Sequence, residues 1–217
     1  MTKQQVLARI AEVGLVPVVR AESADEAMRV VEAVRAGGVT VFEITMTVPG
    51  ALGVMEDVAR RCGSEAIVGA GTVLDAQTAR ACILAGAQFV VSPALDLGTI
   101  ETCRRYAVAV IPGALTPTEV VTAWSAGADV VKVFPCGAVG GASYIKSLKA
   151  PLPQIELIPT GGVSVKTAVD FIRAGAMALG VGADLVDTKA IREGNAGLVT
   201  EKAREYLRLV QEARATP

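Results

Sequence analysis

The stretch SAGADVVKVFP, residues 125–135, runs from the end of an apolar helix through a glycine turn into a buried strand. The same phrase recurs as RAGGVTVFEIT (35–45), LAGAQFVVSP (84–93) and RAGAMALGVG (173–182). Each Ala-Gly falls where a helix ends, the place at which a left-handed residue costs least. The run that follows is short, apolar and rich in Val. A strand covered by helices on both faces reads this way. The repeating unit is therefore helix, tight turn, parallel strand.

Working outward from these four phrases gives eight strands, at 15–20, 39–45, 66–72, 89–93, 109–113, 130–135, 156–162 and 178–185. Helical stretches follow at 23–36, 50–61, 75–85, 97–106, 117–126, 142–150, 165–174 and 198–213. Ser23, Asp75, Thr116 (ahead of Pro117) and Ser164 are the expected helix caps, since their side chains can accept a bond from a free backbone N–H. A short amphipathic helix precedes the first strand, with Val6, Leu7 and Ile10 on one face. Strict alternation of strand and helix predicts a parallel sheet. Eight units without a second domain predict an α/β fold of the (β/α)₈ TIM-barrel type with a short N-terminal helix, one domain over residues 1–217. The rival, an open flavodoxin-like sheet, needs fewer strands. A dinucleotide site on it would call for a glycine-rich first turn, and VVRAESADEA has no glycine.

Composition narrows the function. The chain is 52% hydrophobic and 20% charged, which is globular, and its net charge of −1 carries no basic stripe for nucleic acid. Its apolar runs are strand length, well short of the roughly 18 residues that cross a bilayer. The N-terminus lacks an apolar signal core, so the expected location is the cytoplasm. The four cysteines form no C-x-x-C or zinc-like spacing, and there is no histidine. We expect neither a metal nor a cofactor, and acid–base chemistry falls to Glu, Asp, Lys, Tyr or water.

A barrel of this kind works at the C-terminal ends of its strands. Lys132 in VVKVFP faces away from Val131 and Val133, because side chains alternate along a strand. A lysine withdrawn from water favours the neutral, nucleophilic amine. It can equally be a lysine paired to an acid for polar satisfaction, or one that reaches out of the strand end. Glu43 in VTVFEIT is an acid in an apolar strand, either a proton shuttle or that partner. An amine and a carboxylate on two strands of one barrel are what Schiff-base chemistry needs. Gly161-Gly162 and Gly180-x-Gly182 end the last two strands, where barrels often bind phosphate through exposed N–H groups; tight turns would also call for glycine there. Arg20 and Thr72 are candidates to hold a substrate carboxylate, though Arg20 can also be a surface charge that begins a loop. Cys136 is read as a bystander at the mouth of its strand.

At these residues the chain resembles the 2-keto-3-deoxy-6-phosphogluconate (KDPG) / 4-hydroxy-2-oxoglutarate (KHG) aldolase family. The phrases that carry the resemblance are VPVVRAES, GGVTVFEITMTVPGA, AIVGAGTVLDAQ, GAQFVVSPALD, IPGALTPTE, ADVVKVFPCGAVGGASYIKSLKAPLPQIELIPTGGVS and ALGVGADL. They span the chain from about Leu7 to the final helix, with the spacing of E-I-T, G-A-G-T, the strand-six lysine and P-T-G-G as the specific element. The resemblance implies a metal-free class I aldolase on a (β/α)₈ barrel, a homotrimer acting on a small 2-keto acid. By matching position, Lys132 is the Schiff-base lysine and Glu43 the proton shuttle, acting through water. Thr72 touches the pyruvyl carboxylate, Gly161 and Gly162 hold phosphate, and Pro93, Phe134 and Thr160 line the pocket. Two positions depart from the best-known pattern. Thr47 stands where an arginine helps to bind the pyruvyl carboxylate, as in a TFTVP-type branch, which leaves that anion to Arg20. Ala183, beside Gly182, stands where a serine often contributes to phosphate binding, which gives the unphosphorylated 4-hydroxy-2-oxoglutarate more weight. Two other readings stay open on the residues alone. One is a non-covalent phosphate-barrel enzyme (an epimerase or decarboxylase), and the other a catalytically silent trimeric scaffold.

Overall fold

The computed structural model describes residues 1–215. Strands β1 (Leu15–Val19), β2 (Val41–Thr45), β3 (Ile67–Gly71), β4 (Phe89–Val91) and β5 (Ala109–Ile111) lie side by side in chain order. β9 (Leu179–Val181) packs on the far side of β1, which completes a six-stranded sheet. A second sheet holds β6 (Gly113–Ala114), β7 (Val131–Val133) and β8 (Leu157–Pro159). All these pairings are parallel. The protein is thus an α/β fold built on parallel strands.

The fifth strand, expected unbroken over 109–113, is divided at Pro112. Proline has no N–H to give a ladder. Residues before it pair with β4 and residues after it with β7, while the Pro112 carbonyl accepts from Lys132 N–H at 2.9 Å. The last strand, expected to reach 185, stops at Val181. The N–H groups of Leu185 and Val186 turn back onto the Gly182 carbonyl instead. A parallel bridge joins Thr160, just past β8, to Gly180 in β9.

Helices α1 (Lys3–Val13), α2 (Ala24–Ala36), α3 (Ala51–Cys62), α4 (Ala76–Leu84), α5 (Leu97–Arg105) and α6 (Pro117–Ala126) alternate with the strands. They are followed by a 3₁₀ turn (Cys136–Val139), α7 (Ala142–Lys149), α8 (Ala168–Arg173), α9 (Thr188–Arg192) and α10 (Ala196–Ala215). Ser23, Asp75 and Thr116 accept from backbone N–H groups three residues on, each bond worth about 1 kcal/mol. Ser164 is not a cap. Its own N–H and hydroxyl meet the Thr167 hydroxyl, and α8 starts only at Ala168. The short helix α9 has no counterpart in the sequence reading, and Asp187 caps it through Ala190 N–H.

Side chains sort by strand face. Val131 and Val133 join the large cluster under the helices, whereas Val130 joins a second cluster with Val16, Val41, Phe89, Ile111 and Ile158. Val6 and Ile10 of α1 belong to that second cluster and cover its end. Lys3 pairs with Asp129 at 2.7 Å, and Arg214 of α10 donates to the carbonyls of Ala11, Glu12 and Met177. Among the described residues no helix is long and apolar enough to cross a membrane, and no group of His, Cys, Asp or Glu is placed to hold a metal ion.

The cap of α6 predicts a pH effect. Glu119 accepts from the N–H groups of Leu115 and Thr116 and from the Thr116 hydroxyl, and the backbone bond from Thr116 is the main cause that holds its carboxyl below the usual range. A depressed folded-state pKa stabilises above the unfolded value and is lost as pH falls through the folded one. Glu119→Gln should therefore lower the thermal midpoint at pH 7. The gap to wild type should close as acid protonates the native carboxyl, which melting curves at neutral and acidic pH would show.

Candidate active site

Alternation returns the same face of a strand every second residue. Along the inner face the residues turn from apolar to polar: Val41 is followed by Glu43, Val130 by Lys132, and Ile158 by Thr160. Each polar residue sits at or near the C-terminal end of its strand. Lys132 and Glu43 are each 3% exposed, with Nζ 3.9 Å from Oε1. The Phe134 ring centroid lies 5.2 Å from the same Nζ. Glu43 Oε1 is buried and accepts no hydrogen bond. An isolated buried polar oxygen is costly. Beside it is a void of about 10 Å³, walled by Val16, Val91, Ile111 and Ile158, close to the room one water needs.

Close packing dictates glycine around both acid and hydroxyl. A Cβ on Gly71 would overlap the Glu43 carboxylate, and one on Gly180 would overlap the Thr160 hydroxyl. Thr160 and Gly180 also border a wider cavity of about 250 Å³ that opens outward. Its wall holds Arg20, Phe134, Gly161, Gly162, Gly182 and Ala183. The guanidinium of Arg20 is exposed and makes no ion pair or hydrogen bond among the described residues. The structure thus gathers a buried amine, a buried carboxylate, a hydroxyl, a free cation and glycine turns along one path.

Three sequence candidates lie off that path. The Thr47 hydroxyl is 2.7 Å from that of Thr45, which itself donates to the Val19 carbonyl, so Thr47 donates and braces the loop after β2. Thr72 follows Gly71 with φ 58°, a conformation unusual for a β-branched residue. Pro93 presents its main chain to Gly113, where no side chain would fit. None of the three lines the void or the cavity. Sequence reading, in turn, passed over Asp184 in the cavity wall, whose carboxylate accepts from Tyr206 at 2.6 Å. It also passed over Val16, Val91, Ile111 and Ile158, which the alternation of their strands could have identified.

Cys136 is fully buried, and burial pushes its thiol up to about 11. Burial likewise raises Cys82 to about 11 and Cys103 to about 12. Since the thiolate is the reactive form, iodoacetamide at pH 8 should leave these three unlabelled in the native protein. It should label all four cysteines after denaturation, as read by peptide mass.

The family described as KDPG and KHG aldolase matches residues 6–202 of this chain. The chain belongs to that aldolase family. Among its relatives, the KHG/KDPG aldolase of Escherichia coli K12 is 32% identical over 191 residues, 88% of this chain and 89% of that protein. The 2-dehydro-3-deoxy-6-phosphogalactonate aldolase of the same strain is 34% identical over 198 residues, 91% and 96% of the two chains. The crystal structure of KDPG aldolase from Legionella pneumophila, holding pyruvate as a covalent carbinolamine, superposes with a TM-score of 0.84 at 28% identity, covering 91% of this chain and 96% of that one. Such an adduct is the signature of class I chemistry, and this member of the KDPG and KHG aldolase family is a class I aldolase, a carbon–carbon lyase.

Proposed function

We propose that this aldolase reversibly cleaves a 4-hydroxy-2-keto acid to pyruvate and an aldehyde, with Lys132 as the Schiff-base nucleophile and Glu43 as the proton shuttle. The substrates in view are KDPG, which yields glyceraldehyde 3-phosphate, and 4-hydroxy-2-oxoglutarate, which yields glyoxylate. The observation that carries the reading is the buried Lys132–Glu43 pair, 3.9 Å apart, with an unbonded carboxylate oxygen and space for one water.

The chemistry follows from these groups. The neutral Lys132 amine adds to the C2 ketone and gives a carbinolamine. Loss of water, assisted by Glu43, leaves a protonated imine. Glu43, through the water, takes the proton of the C4 hydroxyl. The C3–C4 electron pair moves into the imine, the aldehyde departs, and an enamine remains. Protonation at C3 and hydrolysis return pyruvate and free Lys132. No redox partner or metal enters, so atoms and electrons balance with water alone.

The aldehyde end would occupy the 250 Å³ cavity, toward Arg20 and the Gly161, Gly162, Gly182 and Ala183 turns. Thr72 and Pro93 would meet the pyruvyl end once substrate is bound, and Thr47 would brace the loop after β2, the strand that carries Glu43. We further propose that the two sheets close as one (β/α)₈ barrel over a single domain. The Thr160–Gly180 bridge and the strand divided at Pro112 support closure. A cytoplasmic homotrimer completes the reading, as the family resemblance implies, and light scattering would measure the assembly.

The test is to incubate the protein with pyruvate and borohydride and map the adduct by mass. A single reduced pyruvyl group on Lys132 is expected. A folded protein that takes up none would overturn the assignment and favour a non-covalent barrel chemistry.

A further inference from the structure

Beyond β9 the chain forms a tight turn. Leu185 and Val186 N–H groups return to the Gly182 carbonyl, and both side chains are buried. The N–H groups of Ala183 and Asp184, between them, donate no hydrogen bond among the described residues, and both residues border the 250 Å³ cavity. Backbone donors left open at a cavity wall call for water or an anion. Ala183 has no polar side chain with which to supplement them.

What holds this turn is on the other side. The Asp184 carboxylate accepts from the Tyr206 hydroxyl at 2.6 Å and lies 3.6 Å from Lys202 Nζ, both on α10. Tyr206 is fully buried. Burial first, and the Asp184 bond second, hold its phenol protonated far above the ordinary range, so it stays a donor. A buried hydroxyl with a single charged acceptor keeps that partner in place. The bond therefore does two things at once. It holds in place the turn whose two open N–H groups belong to residues of the cavity wall. It also commits the one carboxylate of the cavity wall to α10, where Lys202 offsets its charge, and leaves the unpaired Arg20 to set the sign of the field.

We infer that the Tyr206–Asp184 hydrogen bond is a latch that prepares the turn after β9 as an anion-binding wall, so that preference for a phosphorylated over an unphosphorylated substrate is set from α10 by a residue that does not touch substrate. This rests on the proposal that the cavity receives the aldehyde end. Without the latch, the N–H groups lose their alignment and the Asp184 charge is free to turn toward a dianionic phosphate. Both changes oppose phosphate, and neither touches Lys132 or Glu43.

The experiment compares wild type, Tyr206→Phe, Asp184→Ala and Asp184→Asn. Inorganic phosphate binding is measured by calorimetry, and kcat/KM with KDPG and with 4-hydroxy-2-oxoglutarate. Losing a hydrogen bond to a charged group should weaken phosphate about tenfold in Tyr206→Phe, with a similar fall in kcat/KM for KDPG. The same variant should hold its kcat/KM for 4-hydroxy-2-oxoglutarate within about twofold and keep the pyruvate adduct on Lys132. Asp184→Asn, which retains an acceptor for Tyr206, should keep most of the phosphate affinity that Asp184→Ala loses. Equal losses for both substrates would reduce Tyr206 to a structural role and overturn the latch. So would unchanged phosphate affinity in Tyr206→Phe and Asp184→Ala, or no phosphate binding by the wild type. Absence of the pyruvate adduct in the wild type would instead count against the aldolase assignment, since the calorimetry does not depend on turnover.

Discussion

Lys132→Ala should bring aldol cleavage below detection and remove the borohydride-stable pyruvate adduct, with the fold retained by circular dichroism. The amine is the only group near the void that can form an imine, so no neighbour can take over the bond-forming step. Truncation also leaves Glu43 without its cation in an apolar collar, which by itself would disturb the site. Lys132→Arg separates the two effects. It keeps a positive charge beside Glu43, yet a guanidinium stays protonated and cannot act as the nucleophile. An inactive Lys132→Arg with no adduct therefore assigns the loss to the missing nucleophile. Turnover within an order of magnitude of wild type in either variant would remove Lys132 from the chemistry.

Much of this arrangement is legible in the sequence, because two periodicities carry it. The Ala-Gly phrase marks where a helix hands over to a strand, and alternation then places Lys132 and Glu43 on the face opposite Val131, Val133 and Phe42. Their burial follows from the apolar residues around them in sequence. The division of the fifth strand runs against the unbroken strand expected over 109–113, although Pro112, which cannot donate within a sheet, carried a signal for it. Other features have no local signature. The positive φ of Thr72 runs against the preference of a β-branched side chain, so only the surrounding structure can impose it. The early end of β9 depends on Gly182 accepting two bonds from residues beyond it. Asp184 and Tyr206 meet across α9 and the turn that follows, a contact that tertiary packing creates and no spacing announces. Likewise Thr47 and Pro93 sit in motifs that point to the site, while neither lines the void or the cavity.

Glu43→Gln should reduce kcat by about 10²–10⁴-fold, the usual contribution of a positioned acid–base group. The substitution keeps the length and shape of the side chain, and so preserves the space that Gly71 leaves for it. What it removes is the capacity to accept and return a proton. The free oxygen Oε1 is the relevant atom, since it lies beside Lys132, accepts no bond from the protein and borders a void of water size. A shuttle in this position serves enamine formation as well as bond cleavage. Exchange of the pyruvate methyl hydrogens with deuterated solvent requires the enamine but no aldehyde, so it should slow by a factor comparable to turnover. The adduct on Lys132 should still accumulate on long incubation, because the nucleophile is intact. Gly71→Ala tests the same group without altering it. A methyl there would displace the carboxylate, and hydrogen exchange should fall while pyruvate can still be trapped on Lys132. If Glu43→Gln exchanged and cleaved at wild-type rates, the pair would be a salt bridge that merely satisfies two buried charges, and the proton would have to travel by another route.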